Sequence, residues 1–325
     1  MITLKKIAAY AVWTVATSLF CINYALAGLP IEHWTQASGV QVYLVQSPAI
    51  PMVDVQIDFD AGSRRDPAQQ AGLASVTASM TSKGVLASDA KTGARREAAL
   101  DENALSEAWA DLGASFGGAA SSDRMSFSLR SLTYPDLLSK ATQLAARQLG
   151  EPAFPSAIWL RERATLNAAL KEANTRPATL AARAFNQAVY GSHPYGFEMT
   201  EATLARISVA DMKAVYRTLV LPCRAKVTLV GAVNRAQADD LVTQLFSRLS
   251  ATTKGAVTSC PALPAVVEVA PLDKPVEQRI AFNSAQAQVL IGQPGFKRAD
   301  PDYFALTVGN YILGGGGFVS RLTTQ

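Results

Sequence analysis

Histidine is nearly missing from this sequence: 325 residues contain only His33 and His193. A metal site resting on imidazole would need both to meet across the fold, and a lone loop histidine is more often a hydrogen-bonded structural residue. Cysteine is also scarce, with Cys21, Cys223 and Cys260, and a chain this long builds a core without disulfides. Charged residues make up 17% and the formal net charge is +4. That is too close to neutral to imply a nucleic-acid partner, and no basic stripe with interleaved aromatics is present. The run Gly314 to Gly317 lacks a following Gly-Lys-Ser/Thr and comes after a helical pattern, which argues against a phosphate loop.

What is present begins with a hydrophobic content of 49%, fitting a globular protein of two domains. Residues 1–27 read as a signal peptide: Lys5 and Lys6, an apolar stretch from Ile7 to Phe20, then Ala25-Leu26-Ala27 as a small-x-small cleavage site. The apolar stretch is short for a membrane span. Leu19-Phe20 is a poor match to lipoprotein processing at Cys21. The expectation is export, to a bacterial periplasm, with no stable membrane span after cleavage. Loss of Lys5 and Lys6 takes the net charge from +4 to +2. Cys223 and Cys260 then remain as an even pair, which an oxidising compartment permits to bridge; spacing alone does not show that they meet.

Strand patterns cover Val40 to Val45 and Val53 to Phe59, with Ser47-Pro48 and Pro51 between them as a turn. Ser115 to Ala120 and Arg124 to Leu132 read as a hairpin with Phe127 and Leu129 on one face. Helices are expected over Ala98 to Leu112, Pro135 to Leu149, Pro155 to Glu172 and Pro177 to Tyr190, then short pieces to Leu219. Arg224 to Val230 reads as a strand and Arg235 to Leu249 as a helix. Residues 251–275 look like a linker, with Pro261, Pro264, Pro271 and Pro275 and no periodic apolar face. Beyond it, Gln278 to Phe282 and Ala287 to Gly292 read as strands and Tyr303 to Leu313 as a helix. The pattern restarts after the linker, so the expected class is α+β, one complete half and one truncated half. The domains are 28–250, the linker 251–275, and 276–325 as the start of the second half.

One stretch organises the rest, Ala71 to Gly84. It reads as a helix with Asp66-Pro67 as its cap and Gly84 as its left-handed stop. Leu73, Val76 and Met80 make a buried stripe, while Ala71, Ser75, Ala78, Ser79 and Ser82 fall on the opposite side. That side is neither bulky nor charged, as if it lined a cavity. A serine nucleophile there would lack a nearby histidine or lysine base.

Ala71-Gly72-Leu73-Ala74, five variable residues, Met80, and then Lys83-Gly84 resembles the active-site helix of the insulinase/pitrilysin family of inverted zincins. Phe59-Asp60-Ala61-Gly62-Ser63 and His193-Pro194-Tyr195-Gly196 resemble further framework phrases, and the resemblance runs from about Val40 to Leu322. In that family the five residues are H-x-x-E-H, two zinc ligands and a general base. Here they are Ser75-Val76-Thr77-Ala78-Ser79. The family's third ligand is a Glu seven residues after another Glu. Glu162 matches the first, and Ala169 stands at the ligand position. The four degraded positions are therefore Ser75, Ala78, Ser79 and Ala169, with no catalytic residue, no metal ligand and no cofactor of the chain's own.

The resemblance also implies peptide binding by strand addition along Gly117, Gly118 and Ala119, although glycines there equally mark a bulged or poorly packed strand. It implies a non-catalytic subunit beside a zinc-bearing insulinase-like peptidase, zinc being expected only in that partner. A substrate-contacting Arg and Tyr would fall beyond Gln325. The competing readings are a peptide-binding or scaffold protein with no protease partner, and a truncated product without function.

Overall fold

The computed structural model describes residues 29–88, 97–249 and 260–324. The expected signal peptide and the first part of the expected linker lie outside these residues.

Three strands open the chain: β1 (Glu32–Thr35), β2 (Gln41–Gln46) and β3 (Met52–Phe59). Helix α1 (Leu73–Met80) follows, then a two-residue pair, β4 (Gly84–Val85) with β5 (Leu100–Asp101). Next come α2 (Glu102–Asp111), β6 (Ser115–Ala120), β7 (Met125–Leu132) and α3 (Pro135–Gly150). Three further helices, α4 (Ser156–Ala173), α5 (Pro177–Tyr190) and α6 (Glu201–Ala205), lead to α7 (Val209–Leu219). Strand β8 (Lys226–Gly231) and helix α8 (Arg235–Phe246) close the sheet domain. Helices α9 (Tyr303–Asn310) and α10 (Arg321–Thr324) lie near the end.

Six strands form one mixed sheet in the order β1-β2-β8-β3-β7-β6. Alternation along each strand turns one face inward. Val42 and Leu44, Val53, Val55, Ile57 and Phe59, Phe127 and Leu129, and Val227 and Leu229 are all buried. Helices α1, α3, α7 and α8 contribute Leu73, Val76, Met80, Ala141, Ala145, Met212, Tyr216, Leu241 and Leu245 to the same core. Two buried aromatic tips have partners: Trp109 Nε1 donates to Gln148 Oε1 at 2.8 Å, and Tyr216 Oη to the Leu149 carbonyl at 2.7 Å.

The fold is α+β, as expected, and the hairpin β6–β7 has the expected partners. The expected turn between Val45 and Val53 does not make a hairpin. β8 inserts between β2 and β3, parallel to the first (Val42 opposite Val227) and antiparallel to the second (Ile57 opposite Val227). The helix expected from Ala98 begins at Glu102, because Leu100 and Asp101 pair with β4 and Asp101 caps the helix by accepting from Ala104 N at 2.9 Å. Neither Gln278 to Phe282 nor Ala287 to Gly292 is a strand. All paired strands among the described residues lie between Glu32 and Gly231, so these apolar runs have no neighbour to complete a ladder.

Candidate functional site

Helix α1 is shorter than its sequence pattern, Leu73–Met80. Gly72 is left-handed at φ 102° and precedes it. Asp66 does cap the helix, from six residues back: its carboxylate accepts from Gly72 N and Ala74 N, both at 2.9 Å. Pro67 therefore stands outside the helix. The Asp66 carboxyl is buried, and that desolvation pushes its pKa up to about 6 against the opposing pull of backbone N–H groups from Ala74, Gly72 and Leu73. Gly84, at φ 128°, lies in β4 beyond the helix rather than at its stop.

The small-residue side of α1 divides in two. Ser75 and Ser79 are exposed, whereas Ala71 and Ala78 are buried, contrary to the helical-wheel expectation. The reason lies on β6. A methyl group at Gly118 would come within 3.0 Å of the Ala78 carbonyl and 2.7 Å of the Phe127 ring, so the helix backbone presses directly on the strand. Gly118 is thus a packing glycine. Gly117 points the other way, where a methyl group would meet nothing within 4 Å, and Ala119 on the same side is exposed.

Among the described residues β6 is an outer strand, paired with β7 alone. Its second edge offers backbone N–H and C=O groups with no strand partner among the described residues. Ala169 is exposed on α4. One α-helical stretch of seven residues separates it from Glu162, which the family pattern puts on the same side.

Past the end of α1, Lys83 Nζ reaches Glu102 Oε1 at 2.7 Å and Glu162 Oε1 at 3.3 Å. Arg161 closes the ring, 2.6 Å from Glu102 and 2.8 Å from Glu162. Desolvation lowers the Lys83 pKa, but hydrogen bonds to both glutamates outweigh it and the net shift is upward. Glu102 is held below the usual carboxylate range chiefly by Lys83, and Glu162 chiefly by Arg161. This ring ties α1, α2 and α4 together, and only Glu162 was singled out from sequence. Lys83 carried the missing signal, as part of the Lys83-Gly84 phrase.

Zinc takes three or four Cys, His or carboxylate ligands. The slots here hold two serines and two alanines, and the Ser79 hydroxyl donates to the Val76 carbonyl at 3.0 Å. Among the described residues no group of three or more His, Cys, Asp and Glu could hold a metal ion. The side chains at these positions do not fit zinc. The two histidines serve elsewhere: His33 stacks on Tyr43 with ring centroids 4.4 Å apart, and His193 is a buried hydrogen-bonding residue. Cys223 and Cys260 form a disulfide. No described helix is long and apolar enough to cross a membrane.

The family model described as the peptidase M16 inactive domain matches residues 206–325. That match begins ahead of α7 and so takes in β8 and α8 of the first sheet. The crystal structure of a peptidase M16 inactive domain from Pseudomonas fluorescens aligns with a TM-score of 0.74 and 29% identity, over 91% of this chain and 67% of that one. Pitrilysin aligns with a TM-score of 0.56 and 20% identity, over 75% of this chain and 25% of that one. The periplasmic protease PqqL from Escherichia coli aligns at 0.59 and 14%, over 74% and 26%. No curated protein sequence matches the chain. The chain is similar to proteins of the pitrilysin (M16, insulinase-like) family, and over residues 206–325 it matches the model of that family's inactive domain. It spans about two thirds of the Pseudomonas fluorescens relative and about a quarter of pitrilysin and PqqL.

Proposed function

We propose that this protein is a non-catalytic insulinase-like subunit that works beside a zinc-bearing peptidase of the same family in periplasmic peptide or protein degradation. One observation carries the reading: a site helix with Ser75, Ala78 and Ser79 at its ligand and base positions, with Ala169 at the third ligand position on α4, lies against a strand that is outermost among the described residues. A frame kept without its chemistry fits a wall of a chamber better than an independent enzyme. The free edge of β6 suits an extended peptide, which would add as a strand along Gly117 and Ala119 and meet little side-chain bulk on the open face. Gly118 serves that role from behind, by letting α1 sit close. A relative of similar fold, the ferredoxin protease FusC, has been crystallised as a mutant in complex with Arabidopsis ferredoxin, which supports a protein or peptide as the guest.

Co-expression with a family chain carrying intact H-x-x-E-H tests the proposal. The expected result is one heterodimeric peak on sizing and a peptidase rate above that of the zinc chain alone. Two monomers and an unchanged rate on mixing would overturn it and leave a peptide-binding scaffold as the reading.

A further inference from the structure

The proline-rich stretch beyond Cys260 is seated on the sheet domain with a repeat of three. Cys260, Leu263, Val266 and Val269 are each half-buried, while the residues between them are exposed. Leu263 packs against the main core. The carbonyls repeat as well. Pro261 O accepts from Arg224 Nη2, Pro264 O from Arg65 Nη1 at 3.0 Å, and Val267 O from His193 Nε2 at 2.8 Å. Three residues per turn is the period of a polyproline helix, whose backbone makes no internal hydrogen bonds and leaves every carbonyl free for outside donors. Pro261 and Pro264 set that conformation in advance.

The donors are themselves held. Arg65 grips Asp60 through Nε and Nη2, at 2.9 and 2.5 Å, so its remaining arm is aimed at Pro264. His193 Nδ1 accepts from Tyr195 N at 3.1 Å, which fixes the ring as the tautomer with its proton on Nε2, facing Val267 O. Tyr195 Oη in turn donates to Asp123 at 2.6 Å, and Arg64 joins Asp123 to Asp60. Arg65 is followed directly by Asp66, the cap of α1. At its head the strap is joined covalently to the sheet domain by the Cys223–Cys260 disulfide, and both cysteines are partly exposed.

We infer that residues 260–269 are a redox-sensitive latch: the disulfide keeps the strap seated on its three donors, and reduction lets it lift, freeing the following chain from the sheet domain. Three accepted hydrogen bonds and a half-buried apolar row are what hold the strap without a covalent bond, so fixing its first residue keeps these contacts made. The opening step is thiol–disulfide exchange with a dithiol. The dithiol gives up two electrons and two protons and becomes a disulfide, and Cys223 and Cys260 become thiols. The inference needs no partner chain, so it stands or falls separately from the proposed function.

Limited digestion with elastase, which cuts after small aliphatic residues, reads the latch directly when fragments are mapped by mass spectrometry. In the full chain, cutting between Ala262 and Val269 should be at least tenfold faster with dithiothreitol than without. Cys223→Ser/Cys260→Ser should match the reduced rate without any reductant. Leu263→Ser, which keeps the disulfide and loosens the seat, should give an intermediate rate in the oxidised protein. Equal cutting in oxidised and reduced protein overturns the latch. So does acceleration shared equally by β3 and β7, which would report general unfolding instead of strap release.

Discussion

Gly118 stands directly across the β6–β7 ladder from Phe127, and a side chain on it would drive a carbon to within 2.7 Å of the aromatic ring. Phe127 in turn stacks on Phe116 with centroids 5.9 Å apart and meets Phe59 edge-on at 6.0 Å. The ring therefore has nowhere to retreat. Gly118→Val should cost about 1–3 kcal/mol of stability, the usual penalty of overfilling a packed core. Gly117→Ala, one residue away and facing open space, should leave stability unchanged or slightly raised. Urea unfolding of the two variants checks the contrast. Equal losses at both positions would mean that α1 does not lean on β6.

Asp66 makes the stability depend on pH. Its folded pKa of about 6 lies above the ordinary 3.8. Its stabilising contribution is therefore complete below about pH 4 and is lost as pH rises through 6, when a charge must form in a buried place. Asp66→Asn carries no charge at any pH and, with an NH2 facing one of the two backbone donors, should be the less stable protein at pH 4. The gap between wild type and Asp66→Asn should then shrink from pH 4 to pH 7, by up to about 3 kcal/mol. A gap that stays constant, or widens, across that window would show that the backbone N–H groups outweigh burial.

Much of this fold is legible locally. The alternation of Val53, Val55, Ile57 and Phe59 marks β3, and the prolines at 135 and 177 open α3 and α5 as their missing N–H and fixed φ dictate. Order in the sheet is not local. β8 comes some 180 residues after β2 in the chain, and no turn signal announces that it will separate β2 from β3. The residue types at Ser75, Ala78, Ser79 and Ala169 are legible because each is an identity at a fixed spacing. Burial of Ala78 is not, since it depends on a glycine 40 residues away. The strap escaped because its apolar residues recur every three positions, neither the 2 of a strand nor the 3.6 of a helix.

The ring of Lys83, Glu102, Arg161 and Glu162 should behave as one unit. Lys83→Met leaves two carboxylates facing each other with one exposed arginine between them. Adding Glu162→Gln removes that repulsion. A double-mutant cycle on Lys83 and Glu162 should give a coupling of about 1 kcal/mol, at the upper end for partly exposed pairs and smaller in high salt. Strictly additive losses would mean that the two side chains are neighbours without being partners.

The last prediction asks whether the positions of Ser75, Ser79 and Ala169 can be made to hold zinc. Ser75 and Ser79 are four residues apart on α1 and both exposed, the placement two histidines need to reach one ion. Ala169 is exposed on α4, free to accept a longer side chain without overfilling the core. The triple variant Ser75→His/Ser79→His/Ala169→Glu should therefore bind one zinc per chain with micromolar or tighter affinity, while the parent retains none after dialysis. Peptidase activity is not expected from it, because the base position is Ala78, fully buried with its carbonyl close to Gly118. A glutamate there would be forced against β6. Metal analysis and a competition titration with a chromogenic chelator give the readout. Zinc uptake by only the two-histidine variant, with no gain from Ala169→Glu, would show that position 169 on α4 does not reach an ion held on α1.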